Sequence, residues 1–598
     1  MCRPPVLLAL LTSFVLVAPS SGALYTHPSQ LPTLTYDYII VGAGTAGNVI
    51  ASRLTENPNY SVLVLEAGVS DEGVLPAIVP FFGPTLSPNT PYDWNFTVAP
   101  QAALNNRVFA YARGKILGGS STINYLAHQY GSSADYDKIA AETGDAGWAW
   151  NSIKKGIYKH EKFVSSVDGH NTAGQYIPSN HGIDGEVSVS LPGYSQTIDA
   201  KVIATTQELA DEFPYNPDMG GGDEVLGIGW IQSTIGGGVR SSSSTSYLRK
   251  ALSRPNLHVL INATVMKLLP TGVRGGKISF GGVQFASSAD VPPSFVFANE
   301  EIILSAGAIG TPQILLLSGI GPSADLTALG IPTIFDNPSV GNNLTDHVFL
   351  PNVFEVRGAE SIDHILRDPA AIGDTLTQWT TSKTGVFANG VGNHYGFFRL
   401  PPNSSIFSTV VDPASGPKAS HWEMIVMNFF ITPGVPPPSS GSFMTLASAL
   451  ISATSRGFVK LATANPFDKP IIDPKFVSTE FDKFCLRESV RAVKRFLSGS
   501  AWKDYVIGPY GSAAGTTDEE IDAHVQNLAS TVNHVMGTAA ISAVNAGWGV
   551  VNPNLKVKGV EGIRVVDASV FPHPVNAHTQ GPIYLLAERA AFIIASQC

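Results

Sequence analysis

A strand, a three-glycine turn, a helix and an acidic residue stand in fixed order near the start of this chain, and that order constrains its fold more than any other feature. Tyr36-Asp37-Tyr38-Ile39-Ile40-Val41 has the β-branched and aromatic character of a strand. Gly42-Ala43-Gly44-Thr45-Ala46-Gly47 follows, Asn48 to Glu56 reads as helix, and a second strand, Ser61-Val62-Leu63-Val64-Leu65, ends on Glu66. In such a unit the first glycine permits the tight turn, the second lets backbone approach a pyrophosphate, and the third lets the helix pack closely on the sheet. Unpaired N–H groups at the helix start attract phosphate, and the acid accepts hydrogen bonds from a ribose hydroxyl. The pattern predicts an adenine dinucleotide ligand and does not by itself separate NAD from FAD.

Ahead of that unit, Arg3 precedes a mostly apolar stretch from Val6 to Ala18 and the small residues Ser20-Ser21-Gly22-Ala23. This is the form of a secretory signal over residues 1–23. It is too short to span a membrane, and no later run reaches about 18 uninterrupted apolar residues. The expectation is a secreted, extracellular protein with no membrane segment. Sequons at Asn59, Asn95, Asn262, Asn343 and Asn403 fit a glycosylated product, Asn59 least well because it abuts a strand expected to be buried. Cys485 and Cys598, the cysteines left after the signal, can pair or stay free. At 598 residues the chain exceeds what one core supports, so two or more domains are expected. A net charge of −10 without a basic patch argues against nucleic acid as a partner.

Two further glycine-rich segments stand out. Arg113-Gly114-Lys115-Ile116-Leu117-Gly118-Gly119-Ser120-Ser121-Thr122-Ile123-Asn124 lets backbone lie against a flat ligand, with hydroxyls and Asn124 available to its polar atoms. Gly307 to Gly321 reads as a turn, a helix begun by Pro312 and a glycine stop. Residues 24 to 35 look like an extended arm. Late in the chain, Leu486, Val490, Val493 and Leu497 share one helix face, and Thr517 with Glu520 forms a capping box.

The three glycine-rich segments together resemble the glucose–methanol–choline (GMC) family of FAD oxidoreductases, from about Tyr36 to the C-terminus. Within the family the closest resemblance is to fungal aryl-alcohol oxidases, carried by Val62 to Asp71, Leu461 to Pro470 and Asn576 to Tyr584, while sugar dehydrogenases look more distant. The resemblance chooses FAD over NAD. It implies an α/β fold: a discontinuous Rossmann-like FAD-binding domain, mainly 36–330 with a return at 531–598, plus an α+β substrate-binding domain with an antiparallel sheet, mainly 331–530. It assigns cofactor contacts to Gly42, Gly44, Thr45, Ala46, Gly47, Glu66, Ala67, Gly114, Leu117, Gly118, Gly119, Ser121, Asn124, Val265, Asp567, Ala568, Thr579 and Gln580. Some relatives bind flavin covalently through a histidine where this chain has Ile123, so non-covalent FAD is expected. No metal is expected.

Oxidising an alcohol removes a proton from oxygen and a hydride from carbon, and imidazole, with an unperturbed pKa of about 6.5, can take that proton near neutral pH. His534 and His578 resemble the family's paired active-site residues. The resemblance makes His534 the base, with hydride passing to flavin N5, and His578 the residue that orients the hydroxyl. Thr579, Gln580 and Gly581 precede Pro582, which suits a helix's first turn, and the positive end of that helix favours negative charge on the flavin. Of the residues expected to narrow the substrate passage, Tyr111 is aromatic, whereas Ile431 and Asn533 stand where phenylalanines are usual, which implies a wider and more polar entrance. The expected protein is a monomer that oxidises primary aryl or related alcohols to aldehydes and passes electrons to O2, giving hydrogen peroxide. The alternatives are a hydroxynitrile lyase of the same fold and a GMC dehydrogenase that uses quinones.

Overall fold

The structure, a computed structural model, describes residues 23–358 and 360–597. The expected signal up to Gly22 and Cys598 lie outside them. The first sheet holds β1 (Ala23–Tyr25), β2 (Thr35–Val41), β3 (Val62–Leu65), β4 (Leu257–Leu260), β5 (Thr264–Arg274), β6 (Lys277–Ala286) and β7 (Ser294–Leu304), in the order β1-β4-β3-β2-β7-β6-β5. From β1 to β7 the pairing is parallel, and β5 to β7 form an antiparallel meander. The central strands are apolar throughout, with Ile39, Ile40, Leu63, Val64, Ile302 and Ile303 fully buried, as a sheet covered on both faces requires. The expected N-terminal arm begins as an edge strand, Ala23 pairing His258.

α1 (Thr45–Leu54) connects β2 to β3. Because β3 and β7 flank β2 on opposite sides, the turns after β2 and β7 part and leave a crevice at the carboxyl ends of the strands. α2 (Gly307–Leu317) follows β7 and corrects one expectation: the helix starts at Gly307, and Pro312 lies inside it. A proline there leaves the carbonyl four residues back without its usual donor. Thr538 Oγ1 supplies one, donating to the Ala308 carbonyl at 2.6 Å.

The second sheet is antiparallel. It contains β8 (Val348–Leu350), β9 (Val353–Val356), β10 (His394–Phe398), β11 (Trp422–Met427), β12 (Phe443–Leu450), β13 (Val506–Pro509) and β14 (Ser530–Thr531), in the order β10-β11-β12-β8-β14, with β9 joining β12 to β13. α3 (Glu480–Phe496) packs on β11 and β12 and buries Leu486, Val490 and Val493. Leu497 falls just past its end. α4 (Asp518–Leu528) opens with the Thr517–Glu520 capping box. The chain then returns to the first sheet: β15 (Ile563–Val565) pairs in parallel with β7, and α5 (Gln580–Ala595) packs on α1. Arg53 and Tyr247 both hydrogen-bond Glu588 of α5, at 2.8 and 2.7 Å.

Among the described residues no helix is long and apolar enough to cross a membrane. Cys485 is a free thiol in the core. The strand that Asn59 abuts is buried, Val62 to Leu65, while Asn59 itself is exposed.

Candidate active site

The crevice beside β2 is a groove with about 1140 Å3 of empty space, part of it open to solvent. Its floor is the first glycine turn. Gly42 has φ +102°, and a Cβ there would lie 2.5 Å from the Ser305 carbonyl oxygen; a Cβ on Gly47 would lie 2.0 Å from the Gly42 carbonyl. Gly44 differs, since its Cβ would meet nothing nearer than Ser305 oxygen at 4.0 Å and would fill the groove instead. That is the cradle a pyrophosphate needs. Glu66 closes one end. Its carboxylate accepts the amides of Ala43 at 2.8 Å and Gly68 at 2.7 Å, and burial, partly offset by those amides, pushes its pKa up to about 7. A carboxylate offers about four acceptor positions, so two remain for a ribose. The second glycine segment lies across the first: the Gly118 amide donates to the Ala43 carbonyl at 2.8 Å, and a Cβ on Gly119 would sit 2.8 Å from Gly44 Cα. Asp567 caps the start of α2, accepting the Gly307 amide at 2.9 Å and Thr311 Oγ1 at 2.6 Å.

The two histidines meet. Their rings are 4.7 Å apart between centroids and nearly perpendicular, at 85°. His534 follows β14 on a turn where Asn533 has φ +63°, and its amide donates to Asp346 Oδ1 at 2.8 Å. Its Nδ1 lies 2.9 Å from Nδ1 of His347. No hydrogen bond occupies its Nε2 among the described residues. Burial, then the nearby His578, His347 and Arg113, push the His534 pKa well below the usual imidazole range, so the ring is neutral. His578 approaches from the loop before α5, and its Nε2 lies 3.0 Å from Oε1 of Glu423, a fully buried carboxylate on β11. Two features tie this pair to the groove: Ile583, in the first turn of α5, lines it, and so does Arg113, whose guanidinium donates to the Asn533 carbonyl.

Of the residues assigned to the cofactor, Gly42, Gly44, Thr45, Ala46, Glu66, Ala67, Gly114, Gly119, Val265, Asp567 and Ala568 line the groove. Gly47, Leu117, Gly118 and Ser121 are not part of that lining, and the Ser121 hydroxyl donates to the Gly118 carbonyl at 2.6 Å. Asn124 is occupied within the protein. It donates to Gln580 at 2.9 Å and accepts from Arg240 at 2.6 Å, while Gln580 donates to the Ala127 carbonyl at 2.9 Å. Thr579 occupies the N-cap of α5 without a side-chain cap. Tyr111 is fully buried and donates to Asp346 at 2.7 Å; Asn533 Oδ1 accepts the Ala112 amide at 3.0 Å; Ile431 is half-buried against the cluster containing Phe429.

Sequence reasoning missed Asp346, His347 and Glu423. Glu423 had a readable signal, because a carboxylate inside the apolar run Trp422-Glu423-Met424-Ile425-Val426-Met427 is costly to bury without a partner. The dipeptide Asp346-His347 carries no comparable anomaly.

The N-terminal and C-terminal profiles of the GMC oxidoreductases match residues 36–349 and 453–587. The chain belongs to the GMC oxidoreductase family, and FAD is its cofactor. It is 39% identical to pyranose dehydrogenase 3 of Leucoagaricus meleagris over 96% of this chain and 95% of that one. Among solved structures it is similar to a formate oxidase variant of Aspergillus oryzae (28% identity, TM-score 0.85, covering 94% of this chain and 98% of that one) and to a fungal aryl-alcohol oxidase (26%, 0.81, 94% and 99%). Among these relatives the sugar dehydrogenase is nearer in sequence than the aryl-alcohol oxidase, the reverse of the order expected from motifs.

Proposed function

We propose that this chain is a secreted enzyme that oxidises primary alcohols, aryl or related, to aldehydes, with non-covalent FAD and O2 as the electron acceptor. The meeting of a neutral imidazole and a carboxylate-tethered imidazole beside the dinucleotide groove carries this reading. Bound FAD supplies the two-electron acceptor for the hydride that leaves the alcohol carbon. His534 Nε2 takes the hydroxyl proton; neutrality before reaction is what a base requires. His578, held by Glu423, orients the alcohol oxygen and stabilises charge growing on it. Ile123 is buried and has no nitrogen through which a flavin could be linked.

The 39% identity to a pyranose dehydrogenase favours a second reading, oxidation of a sugar CH–OH group with a quinone as acceptor. One panel separates the two: benzylic, aliphatic and furfuryl alcohols beside aldopyranoses, each assayed for peroxide release and for benzoquinone reduction. Turnover of alcohols with stoichiometric peroxide supports the oxidase. Turnover of pyranoses with quinone alone replaces it, and a yellow flavin that no substrate bleaches anaerobically points to a lyase of the same fold.

A further inference from the structure

His534 is held on its inner side by another buried imidazole. His347, immediately before β8, places Nδ1 2.9 Å from Nδ1 of His534, with ring centroids 5.0 Å apart and planes at 83°. Two ring nitrogens this close share one hydrogen, so one donates and the other accepts. Which of them carries it decides the tautomer of both rings. With the hydrogen on His347, His534 carries its own proton on Nε2 and offers the alcohol a donor. With the hydrogen on His534 Nδ1, Nε2 is a bare lone pair.

Only the second arrangement gives His534 the free lone pair that a base needs. His347 is fully buried, and burial with the neighbouring His578 pushes its pKa down to about 3, so it keeps a single N–H. With the shared hydrogen on His534, the single N–H of His347 is on Nε2, a buried nitrogen without a hydrogen-bond partner among the described residues. His347 Nδ1 is then an acceptor. We propose that His347 is a positioning residue that fixes His534 in the Nδ1–H tautomer and so leaves Nε2 free to act as base. The inference rests on the reading of His534 as base. In the reaction the alcohol O–H bond breaks, an N–H bond forms on Nε2, and the imidazolium keeps its Nδ1–H bond to His347. The charged and titratable groups facing His534 are His347, His578 and Arg113, with Asp346 at its amide and Glu423 beyond His578. Among the described residues no carboxylate is hydrogen-bonded to the ring; Asp346 meets only its backbone amide.

Neutron diffraction from deuterium-exchanged holoenzyme tests the assignment directly. Deuterium on His534 Nδ1 and on His347 Nε2 is expected; deuterium on His347 Nδ1 overturns the proposal. Anaerobic stopped-flow bleaching of the flavin by the best alcohol tests its consequence. His347→Leu removes the acceptor and should slow bleaching at least about tenfold without weakening alcohol binding, since a wrong tautomer costs up to about 10⁴ in the serine-protease triad. His347→Asn, which puts an amide oxygen where Nδ1 was, should recover most of the rate. Wild-type bleaching in His347→Leu overturns the positioning role. If His534→Ala also bleaches at the wild-type rate, the base reading has failed; if only His534→Ala is slow, the positioning role alone has failed.

Discussion

His181 and His534 are both buried imidazoles, and their surroundings make one a cation and leave the other neutral. His181 lies between two carboxylates, Nδ1 2.8 Å from Glu161 and Nε2 3.1 Å from Asp218. Burial opposes its charge, but the hydrogen bonds and charges of Asp218 and Glu161 outweigh it and raise its pKa to about 9. His534 faces two imidazoles and an arginine, and every influence on it points downward. Partners, rather than depth, decide whether a buried histidine is a structural cation or an available base. One chain uses both.

Acid and alkali should expose the difference most strongly. Burial pushes His128 and His347 down to about 3 and His524 to about 4, so below about pH 6.5 the unfolded chain binds protons that the folded chain refuses. Each such group removes about 1.4 kcal/mol per pH unit as pH falls toward its folded value. His181 works in the other direction. Its folded pKa is raised, so its contribution is complete below about pH 6.5 and is lost as pH rises through about 9. Urea unfolding from pH 4.5 to 9.5 should give a steep acid limb and a shallower alkaline one. A flat acid limb would show that the neutral histidines titrate freely in the folded chain.

Substitution at each centre sharpens the contrast. His534→Ala should leave a folded, yellow protein whose anaerobic flavin bleaching is slower by about 10²–10⁴-fold, the usual contribution of general-base catalysis. His181→Leu should do the reverse. It leaves Glu161 and Asp218 buried without their cation, at a cost of about 3–5 kcal/mol in urea unfolding, while bleaching per folded molecule is unchanged. A His181→Leu variant as stable as the parent would deny the cation its structural role.

The same contrast explains what could be read from sequence. The groove is encoded locally: Gly42, Gly44, Gly47 and Glu66 fall within one β-α-β unit, and each glycine occupies a position that the unit's geometry explains. The capping box at Thr517 and the buried face of α3 were likewise legible because they depend on neighbours three or four residues away. The proposed catalytic centre draws instead on Asp346, Glu423, His534 and His578, brought together by the second sheet and the returning C-terminal segment. His534 and His578 were found through family resemblance, but their partners depend on strand register, which one sequence does not reveal. Pro312 misled for the same reason, since the donor that frees it to sit inside α2 is Thr538, far along the chain. Asn124 and Gln580 have the chemistry of ligand contacts, and only the fold shows that they bond each other.

The smallest effect concerns Tyr111, whose ring is buried and whose hydroxyl donates to Asp346 Oδ2 at 2.7 Å. Asp346 also accepts Thr531 Oγ1 at 2.5 Å and, through Oδ1, the amides of His534 and His347. Tyr111→Phe therefore removes one of four donors and leaves the carboxylate held. The expected loss is about 0.5–1.5 kcal/mol of stability, the net value of an ordinary hydrogen bond. Because the His534 amide is on the other carboxylate oxygen, bleaching should slow by less than about tenfold, a change of under about 1.4 kcal/mol in the barrier. A loss as large as that of His534→Ala would move Tyr111 from the scaffold of the base into direct contact with the alcohol, and would make the charge environment of His534 only part of what prepares the site.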